Sequence, residues 1–135
     1  MAINPLKVLF VASEVEGLVK TGGLADVAKA LPQHLAREGH DVRIILPFYQ
    51  TLKRRDEARL LASRWLPTPQ GRDDISYLIY QLELDGICVY LLDCPAYFER
   101  PQLYAENNQA YPDNGERFAF LAAAALHACE QLNFA

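Results

Sequence analysis

Cysteine is scarce in this chain: there are three, Cys88, Cys94 and Cys129. An odd number without C-x-x-C spacing argues against a disulfide framework and against structural zinc. It leaves free thiols in a reducing compartment. Basic charge is short as well. The net charge of −4 argues against a generic nucleic-acid partner, which calls for a basic surface. No apolar run approaches the ~20 residues that cross a bilayer. No basic leader precedes the apolar stretch 6–12, so neither a signal peptide nor a membrane partner is expected, and the expected location is cytoplasmic. Internal repeats and low-complexity tracts are missing. His34, His40 and His127 form no ligand cluster with the cysteines, and no Ser–His or Cys–His nucleophile arrangement is legible. Neither a metal nor a cofactor is expected.

What is there suits one domain, or a piece of one. Of the 135 residues, 51% are hydrophobic and 22% charged, enough apolar material for a real core. Leu6–Ala12 reads as a buried strand. Leu24, Val27, Ala28, Leu31 and Leu35 then recur at helical spacing and predict a helix with that face inward. Pro32 should kink or split this helix, and Gly39 should end it. Asp41–Pro47 is a second strand candidate, completing a βαβ unit of the kind that builds parallel sheets.

Residues 48–59 are basic and irregular, and the Arg43, Lys53, Arg54, Arg55 group reads as a solvated edge. Arg59–Leu66 reads as a short strand, followed by a turn at 67–71. Ile75–Leu84 and Ile87–Leu92 are strand-like runs separated by Asp85-Gly86, a hairpin signal because glycine accepts a positive φ. Cys94–Pro112 reads as a long loop. Asp113 and Glu116 are spaced like a capping box. They open a last helix whose expected buried stripe is Phe118, Leu121, Ala122, Ala125, Cys129 and Leu132. A doubly wound sheet would continue with another strand, so the architecture looks incomplete after residue 135.

The loop Ser13–Gly23 falls at the carboxyl end of the first strand, where open α/β sheets collect ligands. A helix N-terminus offers unpaired N–H groups and a positive dipole end. Gly22-Gly23 removes side chains from that backbone, and Lys20 adds a mobile charge. Together these describe a phosphate or pyrophosphate site. The bare Lys-Thr-Gly-Gly pattern is also compatible with a flexible turn carrying a solvated lysine. It matches neither the P-loop nor the G-x-G-x-x-G fingerprint.

Ser13-Glu14-Val15 and Lys20-Thr21-Gly22-Gly23-Leu24-Ala25-Asp26-Val27 resemble the N-terminal signature of glycogen and starch synthases. The resemblance continues at Ala30-Leu31-Pro32, at 39–43, at Leu46-Pro47, at Tyr90-Leu91-Leu92-Asp93 and at 111–118, in the family's order and over nearly the whole chain. Glu16-Gly17 departs from it, since members commonly carry an apolar or Pro-containing pair there. The resemblance implies an α/β fold: a Rossmann-like three-layer sandwich with a mostly parallel sheet plus a β-hairpin. Residues 1–135 would form the incomplete first, acceptor-side domain of a GT-B glycosyltransferase. It implies transfer of glucose from ADP-glucose to the non-reducing end of an α-1,4-glucan, with retention and without metal. By the family's motif, Lys20 pairs with the glucosyl donor's phosphates. Thr21, Gly22 and Gly23 share that site. Asp26 meets a sugar hydroxyl or orients the loop, and Glu14 braces it. Tyr104 and the stretch 111–114 match regions near the glucan. Tyr97, Phe98 and Tyr104 are candidates for stacking on sugar rings, whereas Tyr77, Tyr80 and Tyr90 read as core or cross-strand partners.

The family continues past this length with a His-containing strand and a second Rossmann-like domain. Two other readings stay open: a truncated, non-catalytic nucleotide- or glucan-binding module, and an unrelated α/β protein whose loop imitates the motif.

Overall fold

A computed structural model describes residues 4–71 and 73–134; Met1–Ile3, Arg72 and Ala135 lie outside the described residues. The chain runs β1 (Lys7–Val11), α1 (Gly23–Arg37), β2 (Asp41–Pro47), a 3-10 turn (Arg55–Glu57), β3 (Arg59–Pro67), β4 (Asp74–Leu84) and β5 (Ile87–Asp93). It ends with α2 (Pro95–Phe98), β6 (Ala105–Glu106), β7 (Gln109–Ala110) and α3 (Asn114–Gln131). The main sheet has the order β1-β2-β5-β4-β3. β1, β2 and β5 are parallel, and β5-β4-β3 are antiparallel. The sheet is therefore mixed, with the hairpins extending its parallel part. In β2, Val42, Ile44, Ile45 and Leu46 are all buried. A strand buried on both faces needs a layer on each side. α1 packs on β2 and β5, and α3 on β1 and β2. No helix among the described residues is long and apolar enough to cross a membrane.

The turn residues do what their chemistry predicts. Asp85 and Gly86 have φ of 49° and 83°, the double positive φ of a mirror-image hairpin turn. A Cβ on Gly86 would meet nothing within 4 Å, so backbone strain alone opposes a side chain there. Gly86→Ala is expected to cost about 1 kcal/mol, read as a lower urea midpoint in the full-length protein. Gly39, at φ 101°, closes α1: its N–H bonds to Ala36 O and that of His40 to Leu35 O, the Schellman pattern. His40 Nδ1 then accepts from Leu6 N at 3.0 Å, tying the end of α1 to the entry of β1.

Three expectations are corrected and one is narrowed. Of the kink or split expected at Pro32, the split does not occur: α1 runs through Pro32 as one element, with Pro32 buried. Its inward face is Ala25, Ala28 and Pro32, while Leu24, Val27 and Leu31 are 48%, 51% and 41% exposed. Small residues at i, i+3 and i+7 also share a helix face, and it is these that the helix buries. The buried stripe of α3 is likewise rotated, to Arg117, Phe120, Leu121, Ala124, Ala125 and Ala128; Ala122 is exposed and Phe118, Cys129 and Leu132 only partly buried. A helix apolar on most sides leaves its inward face to tertiary contacts. Asp113 and Glu116 make no capping box. Arg100 takes the Asp113 carboxylate at 2.5 and 2.6 Å, and the Tyr97 hydroxyl donates to Glu116.

Among the described residues β1 has one neighbour, β2, so its other side is an open edge. A groove of about 290 Å³ runs beside it, lined by Leu9, Val11, Ala122, Ala125, Leu126 and Cys129. Val11 is 43% and Leu126 74% exposed.

Candidate functional site

The loop between β1 and α1 stands at the carboxyl ends of the parallel strands. Its first half is pinned to the core. Val15 and Val19 exchange backbone hydrogen bonds of 3.0 Å each. Leu18 is fully buried, and its carbonyl accepts from Lys53 N at 2.8 Å. The departure at Glu16-Gly17 has a local use: Gly17 sits at φ 95° in the tight turn between Val15 and Val19, a conformation an L side chain rarely adopts.

Glu14 organises the second half. Its side chain is 2% exposed, and its carboxylate accepts from Thr21 N at 3.0 Å, Thr21 Oγ1 at 2.6 Å, Gly22 N at 2.9 Å and the Tyr104 hydroxyl at 2.7 Å. Burial alone would push this carboxyl up. The bonds from Thr21, Tyr104 and the amides of Thr21 and Gly22 override it and hold the pKa at about 2. The hydroxyl hydrogen of Tyr104 goes to Glu14, so Ser13 Oγ, 2.7 Å away, donates to Tyr104. Tyr49 OH donates to Ser13 O at 2.7 Å. Burial lifts Tyr104 to about 12 and raises Tyr49 further, so both stay protonated donors.

Lys20 and Asp26 lie outside this network. Their side chains are 47% and 49% exposed, and Lys20 Nζ meets Asp26 Oδ1 at 2.7 Å. That hydrogen bond raises the lysine pKa and lowers the aspartate's. A Cβ on Gly22 or Gly23 would meet nothing within 4 Å. The two glycines therefore solve no packing problem inside the chain; they keep the surface at the start of α1 clear. Gly22 has φ −162°, which any residue adopts. The loop thus brings together Glu14, Thr21 and Gly22 on one side, and Lys20 and Asp26 on the other. The Gly22 amide, expected to face an outside anion, serves Glu14 in this structure.

Tyr104 reaches Glu14 through a scaffold that the sequence reading did not single out. Arg117 is fully buried and donates to Tyr97 O at 2.6 Å, Leu103 O at 2.8 Å and Asn114 Oδ1 at 2.8 Å. Asn114 Nδ2 and Tyr111 N both donate to Tyr104 O, each at 2.9 Å. The 111–118 block therefore shapes the segment that carries Tyr104. The signal for Arg117 was its place in that block, since a lone arginine on a helix otherwise reads as surface. Tyr97 and Phe98 are 4% and 1% exposed, which removes them as sugar-stacking platforms. Tyr77 and Tyr90 are buried in the core as expected.

A βαβ opening, a structured loop at the strands' carboxyl ends and a cleared helix start define an α/β protein whose candidate site lies on the rim of its parallel sheet. The chain belongs to the starch synthase catalytic domain family, whose model matches residues 7–135. It is 82% identical to glycogen synthases of Aeromonas salmonicida and Aeromonas hydrophila, over 100% of this chain and 28% of each relative. It is 57% identical to that of Photobacterium profundum, over 97% of this chain and 26% of the relative. Among solved structures, it resembles the catalytic domain of Starch Synthase IV from Arabidopsis thaliana bound to ADP and acarbose. There the TM-score is 0.82 at 29% identity, covering 96% of this chain and 26% of that one. The chain thus spans little more than a quarter of the length of the curated relatives it matches.

Proposed function

We propose that this chain is the first, acceptor-side part of a glucosyltransferase of glycogen synthesis. The whole protein would work in the cytoplasm and move glucose from ADP-glucose to the non-reducing end of an α-1,4-glucan with retention. The observation that carries this reading is the rim at the start of α1. It combines an exposed Lys20 amine, glycines with open space above them and a loop pre-shaped from within. The chain carrying it is 82% identical to glycogen synthases along its full length.

The chemistry needs a stabilised leaving group. As the bond between sugar and diphosphate breaks, negative charge grows on the departing ADP, and a preorganised cation beside it lowers the barrier. Lys20 takes that role by exchanging Asp26 for phosphate oxygen. Asp26 holds the amine in place until then, and is afterwards available to a sugar hydroxyl. Gly23 and Leu24, whose N–H groups have no acceptor within the first turn of α1, supply the dipole end. Thr21 and Gly22 keep the loop's shape by binding Glu14. Tyr104 acts through Glu14 and is a positioning residue.

The test is incorporation of labelled glucose from ADP-glucose into glycogen. The full-length protein is expected to incorporate it, and residues 1–135 alone are expected to remain at the no-enzyme background. A full-length protein at background would overturn the reading.

A further inference from the structure

Glu16, one of the two positions at which the chain departs from the family's pattern, stands beside the Lys20–Asp26 pair. The tight turn between Val15 and Val19 carries Glu16 on one limb, and Lys20 directly follows the other. Glu16 N donates to Ala25 O at 3.0 Å, which docks its limb against the first turn of α1, next to Asp26. Glu16 is exposed, and the side chains of Lys20 and Asp26 are about half exposed. Three short stretches of chain thus bring one amine and two carboxylates to the same piece of rim.

The three groups act on one another. Lys20 Nζ meets Asp26 Oδ1 at 2.7 Å, and Glu16 reaches the same Asp26 carboxyl. The lysine pKa is raised first by its hydrogen bond to Asp26 and then by the charges of Asp26, Glu16 and Glu14. Glu14 is engaged inward, on Thr21, Gly22 and Tyr104. Glu16 is different, since it lies where an incoming anion must pass. A diphosphate has to take Lys20 from Asp26, and has to do so within reach of a second like charge.

We infer that Glu16 is a positioning residue that sets the affinity of the donor site: its carboxylate helps hold Lys20 on Asp26 and competes with the donor's diphosphate for the amine. That the anion is the diphosphate of ADP-glucose rests on the glucosyltransferase reading; the competition between Glu16 and an anionic ligand for Lys20 does not. Gln at position 16 keeps the shape and the backbone hydrogen bond and removes only the charge.

The experiment uses the full-length protein. The KM for ADP-glucose and kcat are measured for Glu16→Gln, Glu16→Ala, Glu16→Asp and, as a control for net charge, Glu130→Gln at the far end of α3. At about 50 mM NaCl, Glu16→Gln and Glu16→Ala are each expected to lower the KM about fivefold, the scale of like charges ~5 Å apart in solvent, with kcat moving less than KM. Glu16→Asp and Glu130→Gln are expected to stay within about twofold of the unaltered protein. Raising NaCl to about 500 mM shortens the screening length from ~14 Å to ~4 Å, and the advantage of Glu16→Gln is expected to shrink below about twofold. A change of shape alone would not depend on salt in this way. A KM that falls no further in Glu16→Gln and Glu16→Ala than in Glu130→Gln, or that falls equally at both salt concentrations, overturns the inference. If the unaltered protein transfers no glucose, the glucosyltransferase reading fails, and calorimetric titration with ADP still tests Glu16. Tighter ADP binding in Glu16→Gln at low salt supports the inference, and equal or absent binding in both proteins overturns it.

Discussion

In the full-length protein, Lys20→Ala is expected to lower kcat/KM for ADP-glucose by about 10²–10³-fold, the usual effect of removing one preorganised group at a developing negative charge. The structure makes this a change in function and not in folding. The Lys20 side chain is 47% exposed, and its ion-pair partner Asp26 is exposed to the same degree. Solvent screens such a pair, so it adds little to stability and yields easily to a stronger anion. The melting temperature of Lys20→Ala should therefore match that of the unaltered protein while activity collapses. Lys20→Arg keeps the charge but changes the reach and is expected to recover part of the rate. Unchanged kinetics in Lys20→Ala, or a loss of activity that tracks a loss of fold, removes Lys20 from the chemistry.

Glu14 is expected to behave in the opposite way. Glu14→Ala strands the amides of Thr21 and Gly22 and the hydroxyls of Thr21 and Tyr104, which all now reach its carboxylate. Leaving buried partners unmatched costs about 3 kcal/mol or more, a large share of a typical domain's stability. The pKa gives an independent handle. Lowering the carboxyl from 4.5 to about 2 is worth about 3 kcal/mol in favour of the folded state. Because the folded value is the depressed one, this stabilisation is fully present above about pH 4.5 and drains away as pH falls toward 2. The gap in urea stability between the unaltered protein and Glu14→Gln should accordingly be widest near neutrality and close between those limits. A gap that does not change with pH would mean that the carboxylate charge is not what holds the loop.

The sequence made the local features legible and hid the distant ones. Asp85-Gly86 and Gly39 were readable because positive φ is a property of the residue and its immediate neighbours. The strand runs were readable because apolar β-branched stretches have few other destinations. The inward face of α1 was not, since Leu24, Val27 and Leu31 outrank Ala25 and Ala28 on any scale of hydrophobicity, yet the helix buries the small residues. Asp113 and Glu116 have capping-box spacing, but Arg100 and Tyr97 claim them from outside the helix. The site divides the same way. Lys20, Thr21, Gly22, Gly23 and Asp26 stand together in one short segment. The bond from Tyr104 to Glu14 spans 90 positions and depends on Arg117 being buried, which no periodicity announces.

The side of β1 that has no neighbouring strand among the described residues has a practical corollary. The amides and carbonyls of Val8–Val11 that point away from β2 can pair with an extended segment that comes near. The exposed Val11 and Leu126 make that approach favourable on apolar grounds as well. In preparations of residues 1–135 by themselves, the readiest extended segment is β1 of another copy. Such a sample is expected to associate edge to edge as it is concentrated, and light scattering that does not rise with concentration would show the edge to be inert.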